Sequence, residues 1–432
     1  RVCTGVLIGG AALLAILFVF RETPAVSRIP AVGRLLNTPI ASLSSNTRVM
    51  AWGVAIDAWR ERPVFGWGPN NFYYAFNEYY RPAFLRYGWG ETWFDNAHNI
   101  IMNTLATQGF VGIVTYLAIF GAAGWSLWRA YRERRLTIHT AVLATGFLVG
   151  HLVHNVFVFE NPTSYLYFFF FLAFVNQSTL EGGEAREASR VGGRSLSWGV
   201  PVAVFLVAAL FIYTTNLNPK RANNATLLAI QQLQVDPKHA VSLYREATVI
   251  PTPHVDDIRN DMARMITEYI PQLRAAGQDE IAKELAVLAF DELQKNLTLH
   301  PLDIRVHLLA AQLAFARAEL FQDPLYVAVS EQLFTDALSK SPKRQQIQFA
   351  LISVKMRLGK YAEGLAIAEE TFGNDSTIGE VWWRRIIAYA EAGEIERARE
   401  ILAEARQAGV AFSEEAERAL DVYVPTSTEQ LL

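Results

Sequence analysis

The chain has 432 residues, of which 51% are hydrophobic and 19% charged, for a net charge of −3; its mean hydropathy of +0.15 is high for a soluble protein of ordinary composition. That average conceals two unlike parts, since up to Asn216 there are 16 Arg, no Lys and 11 carboxylates, a net of +5, and beyond it 23 Lys plus Arg face 31 carboxylates, a net of −8. A single small soluble domain is excluded, and so is a nucleic-acid binder, because neither part concentrates Lys and Arg as phosphate neutralisation requires.

The first element is the apolar run Val2 to Phe20, directly after Arg1 rather than Met, so the chain reads as a fragment whose N-terminal part is missing. Cys3, the one cysteine, can form no internal disulfide and no thiolate cluster. The run has about the ~20 residues that cross a bilayer and no small-residue cleavage site, which predicts a membrane span rather than a signal peptide. Further spans are predicted at Phe110 to Trp128, Ile138 to Phe159, Ser164 to Val175 and Trp198 to Thr215. Of these, Ser164 to Val175 falls short of the usual ~17 to 25 residues. Arg129, Arg132, Arg134 and Arg135 cluster in one loop and Arg186, Arg190 and Arg194 in another, which the positive-inside rule places in the cytoplasm with Arg1. The loop 21–99 and everything after Asn216 then lie outside it.

Within that loop, Ser44-Ser45-Asn46-Thr47 is a run of N-cap residues, and Val49, Trp52, Ile56 and Trp59 follow on one helical stripe. Arg48 falls in the first turn, where a cation is disfavoured by the helix dipole unless an anion joins it; the position suits either a phosphate cradle or a headgroup pair. After Arg62-Pro63, Gly66-Trp67-Gly68-Pro69-Asn70 predicts a turn. Eleven aromatic residues from Phe72 to Phe94 suit either a membrane interface or stacking on sugars, and Arg81 and Arg86 among them suit a phosphate, of lipid or of substrate. Asp95-Asn96-Ala97-His98-Asn99 then precedes a helix start. An imidazole at His98 can accept a hydroxyl proton near neutral pH with Asp95 orienting it, or it can be structural. His151 and His154 share a helix face; His154 is a candidate site neighbour and His151 a packing residue, and two His without a third ligand in view make a weak metal site. No nucleotide-binding fingerprint, zincin motif or nucleophile elbow occurs.

Beyond Asn216 the apolar residues recur at helical spacing without strand-like alternation. Aligning Leu358-Gly359-Lys360-Tyr361 with Ala392-Gly393-Glu394-Ile395 gives a period of 34, the length of a tetratricopeptide repeat, and Pro301 and Pro342, 41 apart, indicate an earlier repeat with a longer turn at Gln322-Asp323-Pro324. More degenerate hairpins are expected from Lys220 to Leu297. The fold class is therefore all-α: a polytopic transmembrane domain over 1–180, a cytoplasmic linker and last span over 181–216, and a soluble α-solenoid over 217–432 that offers a surface for a protein partner.

Thr47-Arg48-Val49-Met50-Ala51-Trp52, Arg62-Pro63-Val64-Phe65-Gly66-Trp67-Gly68-Pro69-Asn70-Asn71-Phe72, Ala97-His98-Asn99 and Gln108-Gly109-Phe110-Val111-Gly112 together resemble the C-terminal half of the O-antigen ligase family, over roughly Arg1 to Val175. The resemblance implies an inner-membrane glycosyltransferase of GT-C type, inverting and independent of metal or other cofactor, with an undecaprenyl-diphosphate-linked glycan as donor. It implies His98 as the catalytic residue. Arg48, and with it Arg86 or Arg81, would bind the diphosphate, while Asp95, Asn99 and His154 would line the substrate site. Acceptors in that family are a glycan, a lipid or, in protein O-oligosaccharyltransferases, a protein. The rival expectation is a non-catalytic membrane anchor holding the solenoid as an assembly scaffold.

Overall fold

In the computed structural model, residues 15–27, 47–157, 161–179 and 198–425 are described, and among them every regular element is helical. Most of the predicted span Val2 to Phe20, the cap cluster Ser44 to Asn46 and the linker carrying Arg186, Arg190 and Arg194 lie outside the described residues.

After a short helical turn at Pro24–Ser27, the loop region forms α1 (Thr47–Glu61) and α2 (Phe72–Glu78). It continues through 3₁₀ turns at Pro82–Tyr87 and Trp89–Thr92 into α3 (Ile100–Arg132). The buried face of α1 is Ala51, Val54, Ala55 and Ala58 rather than the predicted stripe of Val49, Trp52, Ile56 and Trp59, which is only half-buried. Small side chains win that face because they let the helix approach α3 and the aromatic cluster of Phe72, Phe76, Tyr80, Phe84 and Phe94 closely.

A backbone interlock joins the turn after α1 to α3. Gly109 takes φ 66° and ψ −160°, which breaks the helix and frees carbonyls before it and amides after it. The turn fills them: Trp67 N and Gly68 N donate to Ala106 O and Thr107 O, at 3.0 and 2.7 Å, while Phe110 N and Val111 N donate to Pro63 O and Val64 O, at 2.8 and 3.2 Å. A Cβ at Gly109 would lie 2.4 Å from Val64 O, and one at Gly66 2.5 Å from the backbone of Thr107, so only glycine fits at either end of the interlock.

Helix α3 packs with α4 (Ile138–Phe157) and α5 (Pro162–Thr179) around Leu127, Leu148, Phe168 and Val175. Their outer faces expose Leu143, Phe169 and Phe170. Further on, α6 (Gly199–Ile212) buries none of its residues and runs through a π turn into α7 (Asn218–Val235). Where five spans were predicted, two described helices are long and apolar enough to cross a membrane, Ile100–Arg132 and the continuous Gly199–Val235. The apolar sequence of α4 is interrupted by His139, His151, His154 and Asn155, and that of α5 ends in the polar residues Asn176, Gln177, Ser178 and Thr179.

Antiparallel pairs then stack: α7 with α8 (Pro237–Val249), α9 (Val255–Ala275) with α10 (Asp279–Leu299), and α11 (Ile304–Phe321) with α12 (Leu325–Lys340). They are followed by α13 (Gln345–Arg357) with α14 (Tyr361–Asn374), α15 (Gly379–Glu391) with α16 (Ile395–Gln407), and a closing α17 (Glu414–Tyr423). Gly359 and Gly393, on which the 34-residue period was aligned, sit in equivalent left-handed turns at φ 70° and 85°. Gln322, in the longer turn, takes φ 50°. Pro301 and Pro342 lie in the turns between pairs, and the hairpins before Leu297 are regular in geometry despite their degenerate sequence.

The aromatic loop is seated on this solenoid. Arg344, fully buried just before α13, donates to Thr92 O at 2.7 Å and Asn77 Oδ1 at 2.8 Å. Its guanidinium carbon lies 4.3 and 4.2 Å from the ring centres of Tyr80 and Trp93. Burial lowers its pKa to about 10, which leaves it charged at neutral pH. Around it Tyr73 donates to Asp303 at 2.8 Å, Tyr80 to Gln345 Oε1 at 2.9 Å, and the Ser341 hydroxyl to Asn77 O at 2.7 Å. These contacts require the loop and the solenoid to share one side of any bilayer that the apolar helices cross. Arg344→Ala strands two buried acceptors and empties the cage, a loss of about 3 kcal/mol or more. Limited proteolysis should then cut within residues 72–94 well before the wild type is cut; equal resistance would show that the cation does not hold the two parts together.

Candidate functional site

The peptide ahead of α3 is pinned from several sides. Asn99 is the N-cap of α3, its Oδ1 accepting from Ile101 N and Met102 N at 2.9 and 3.2 Å. Asn96 Oδ1 accepts from His98 N at 2.9 Å. Trp52 Nε1 donates to Ala97 O at 3.0 Å, and Ala97 N to Asn103 Oδ1 at 3.4 Å. Held this way, His98 takes φ 52°, a left-handed conformation that costs a non-glycine residue about 1 kcal/mol or more. Its ring meets the buried Phe94 edge-on, the centroids 5.7 Å apart, and the imidazole is half-exposed.

Three charged groups surround it, each from a different piece of chain. Arg48 comes from the first turn of α1, Glu91 from the second 3₁₀ turn and Asp95 from the connecting peptide. Thr47 ties two of these pieces together by donating its hydroxyl to Glu91 Oε2 at 2.6 Å. Burial first, and then the Arg48 cation, push the His98 pKa below its ordinary value of 6.5, while Asp95 and Glu91 oppose them. The imidazole is therefore neutral at pH 7 and able to take a proton. Beside it, the Arg48 guanidinium and the positive end of the α3 dipole supply positive potential, set against the Asp95 and Glu91 carboxylates.

The structure thus brings His98, Arg48, Asp95 and Asn99 together, with Asn99 serving as the cap. It holds Arg81 and Arg86 elsewhere. Arg81 donates to Asp57 Oδ2 at 2.5 Å and lies against Gly53, fastening the loop to α1. Arg86 grips Asp375 with two bonds of 2.8 and 2.9 Å, fastening it to the solenoid; although burial opposes it, the bonds from Arg86 and Thr377 hold Asp375 below the usual carboxylate range. His154 lies in the last turn of α4, next to Asn155, whose amide is 3.4 Å from the Tyr116 hydroxyl. Tyr116 is 16 residues into α3, about 24 Å along the helix from its start, so His154 is remote from His98. His151 stacks on Phe168 at 4.4 Å between centroids. Among the described residues no three His, Cys, Asp or Glu side chains converge as metal ligands. Glu91 and Asn103 were not singled out in the sequence, and Thr47 and Trp52 were read there only as a cap and a stripe residue, since nothing marks any of the four as a neighbour of His98.

A process that needs neutral His98 should lose rate as pH falls, with the limb below 6.5 and a plateau across pH 7 to 8. Removing the neighbouring cation in Arg48→Ala should move that limb to higher pH, because the imidazolium is then less disfavoured. Titration of the His98 ring by NMR checks the sign, and an unmoved or downward-shifted curve would refute the coupling.

Residues 1–117 match a family model described as O-antigen ligase. No curated protein matches the chain. Among solved structures, a thermophilic TPR protein from Thermus thermophilus is similar at 12% identity with a TM-score of 0.31, over 47% of this chain and 98% of that one. The matched residues include Arg48, His98, Asn99 and both glycines of the interlock, so the segment that builds the site is the part of the chain that is similar to the O-antigen ligase family.

Proposed function

We propose that the protein is a membrane glycosyltransferase that moves a glycan from an undecaprenyl-diphosphate carrier to an acceptor hydroxyl outside the cytoplasm. The observation that carries this reading is the neutral His98, fixed beside the Arg48 cation at the start of α3, within the segment matched to the O-antigen ligase family. The acceptor oxygen attacks the anomeric carbon and the bond from that carbon to the diphosphate oxygen breaks with inversion. His98 takes the hydroxyl proton as the new bond forms, and Asp95 favours the resulting imidazolium. Arg48 and the α3 N-terminus neutralise the departing diphosphate. Arg81 and Arg86 act one step removed, by holding the loop in place.

The apolar exteriors of α3 to α6 suit a lipid surround, with α3 and the α6–α7 helix as spans and α4 and α5 packed beside α3. Loop and solenoid then face the extracytoplasmic side and the Arg129 to Arg135 loop the cytoplasm. The acceptor is a glycan or lipid-borne glycan in an O-antigen ligase or polymerase, and a protein in an O-oligosaccharyltransferase.

The test is glycan transfer by the full-length protein in membranes, supplied with the polyprenyl-diphosphate-linked glycan of its host. His98→Ala should cut transfer by about 100-fold or more at equal protein level with donor binding retained, the range of a lost general base. Arg48→Ala should weaken donor binding and transfer together. If both variants transfer as the wild type does while deletion of the solenoid abolishes envelope assembly, the non-catalytic scaffold becomes the better account.

A further inference from the structure

Docking of the aromatic loop on the solenoid leaves a cleft of about 870 Å³ between them. The loop side presents Tyr74, Trp93 and Asp95; the solenoid side presents Asp257 and Asn260 of α9 and Gln346 of α13. A volume of that size suits a ligand of several rings. We propose that this cleft is the acceptor subsite, and that it takes an uncharged or amino-substituted glycan whose reactive hydroxyl reaches His98. The proposal rests on the glycosyltransferase reading above and specifies which substrate the second domain receives.

Position comes first. Phe94 and Asp95 line the cleft, and the His98 ring meets that of Phe94 edge-on at 5.7 Å, so the cleft opens beside the proposed base. Charge then separates the two substrates. The walls carry six carboxylates against two guanidinium groups and one imidazole, a surface that repels a diphosphate. The donor head group is thereby directed to Arg48 and the cleft is left to the other substrate.

The wall chemistry narrows the class of that substrate. Tyr74 is half-buried, set edge-on to Tyr73, and offers a ring to the C–H face of a sugar. Asp303 and Asp256 are already engaged, by Tyr73 and Arg305 and by His300. Asp257 is crowded by burial and by the charges of Asp256 and Asp261, which raise its pKa; hydroxyl donors relieve that crowding without bringing another anion. The Oε1 of Gln346 is buried and accepts no hydrogen bond from the described residues, so it too calls for a donor. Half-buried rings, carboxylate and amide acceptors and a net negative wall together match a polyhydroxylated, non-acidic chain.

The experiment uses the full-length protein in membranes, saturating host polyprenyl-diphosphate-linked glycan, and as acceptor probe the oligosaccharide released from the host envelope by mild acid. Tyr74→Ala and Asp257→Asn should each raise the KM for the probe by about tenfold, the equivalent of one lost hydrogen bond or ring contact, and leave the KM for donor unchanged. Asp257→Asn keeps the size of the side chain and is decisive if Tyr74→Ala proves unstable in a thermal melt. Unchanged probe KM in Asp257→Asn with an active wild type would overturn the cleft assignment and leave the His98 site standing. Transfer by the wild type to a protein hydroxyl but not to the probe, with the KM for that protein raised in the variants, would overturn the glycan class. A wild type that transfers to neither removes the transferase reading beneath it and this inference with it.

Discussion

A single buried cation organises the molecule. Arg344 stands between stacked helix pairs and donates once to the neighbouring Ser341, yet two of its hydrogen bonds and both flanking rings belong to residues 77–93 of the loop. A guanidinium removed from water must have its charge spread over acceptors and ring faces, and this loop supplies both. The Arg86–Asp375 pair, more exposed on its cationic side, marks a second attachment farther along the solenoid. With both in place the aromatic stretch has one conformation, and the peptide that follows it, Trp93 to Asn99, is delivered to the start of α3.

At that end the constraint is backbone rather than charge. The kink at Gly109 turns what would be orphaned helix groups into four bonds with the Pro63–Gly68 turn, which fixes α1 against α3. Arg48 of α1 and His98, next to the cap of α3, come within electrostatic range of each other as a result. The strained φ of His98 is tolerated because Asn96, Trp52 and Asn99 hold the surrounding peptide. A neutral imidazole, a cation and a helix N-terminus in one place are the parts of a proton transfer coupled to departure of an anion.

The solenoid is more than an appendage in this arrangement. It anchors the loop that carries the site and forms the far wall of the cleft beside Asp95. Joining the two parts encloses a cleft whose walls carry more carboxylates than cations, and Arg48 is not among its lining residues.

Much of this was legible in the sequence because it is local. Helical periodicity, the cap before α3, and the Arg48 and His98 motifs each depend on residues within one or two turns of each other, and the repeat with its paired glycines shows as the same local pattern recurring after 34 residues. Other features were not legible, because they depend on which face a helix turns and on what lies beyond the loop. The alanine face of α1 won over the aromatic stripe because close approach to α3 outweighs side-chain size. The dense aromatics read equally as a membrane belt or a sugar platform; most of them became core once Arg344 was placed against them. Arg81 and Arg86 carry no local mark of their carboxylate partners, which are 24 and 289 residues away. By itself the sequence determined the helices, the repeat and the identity of the imidazole and cation that meet ahead of α3. Only the tertiary structure decided that the loop docks on the solenoid, since that contact is made by pairing a buried charge with rings about 250 residues distant, and no periodicity records such a pairing.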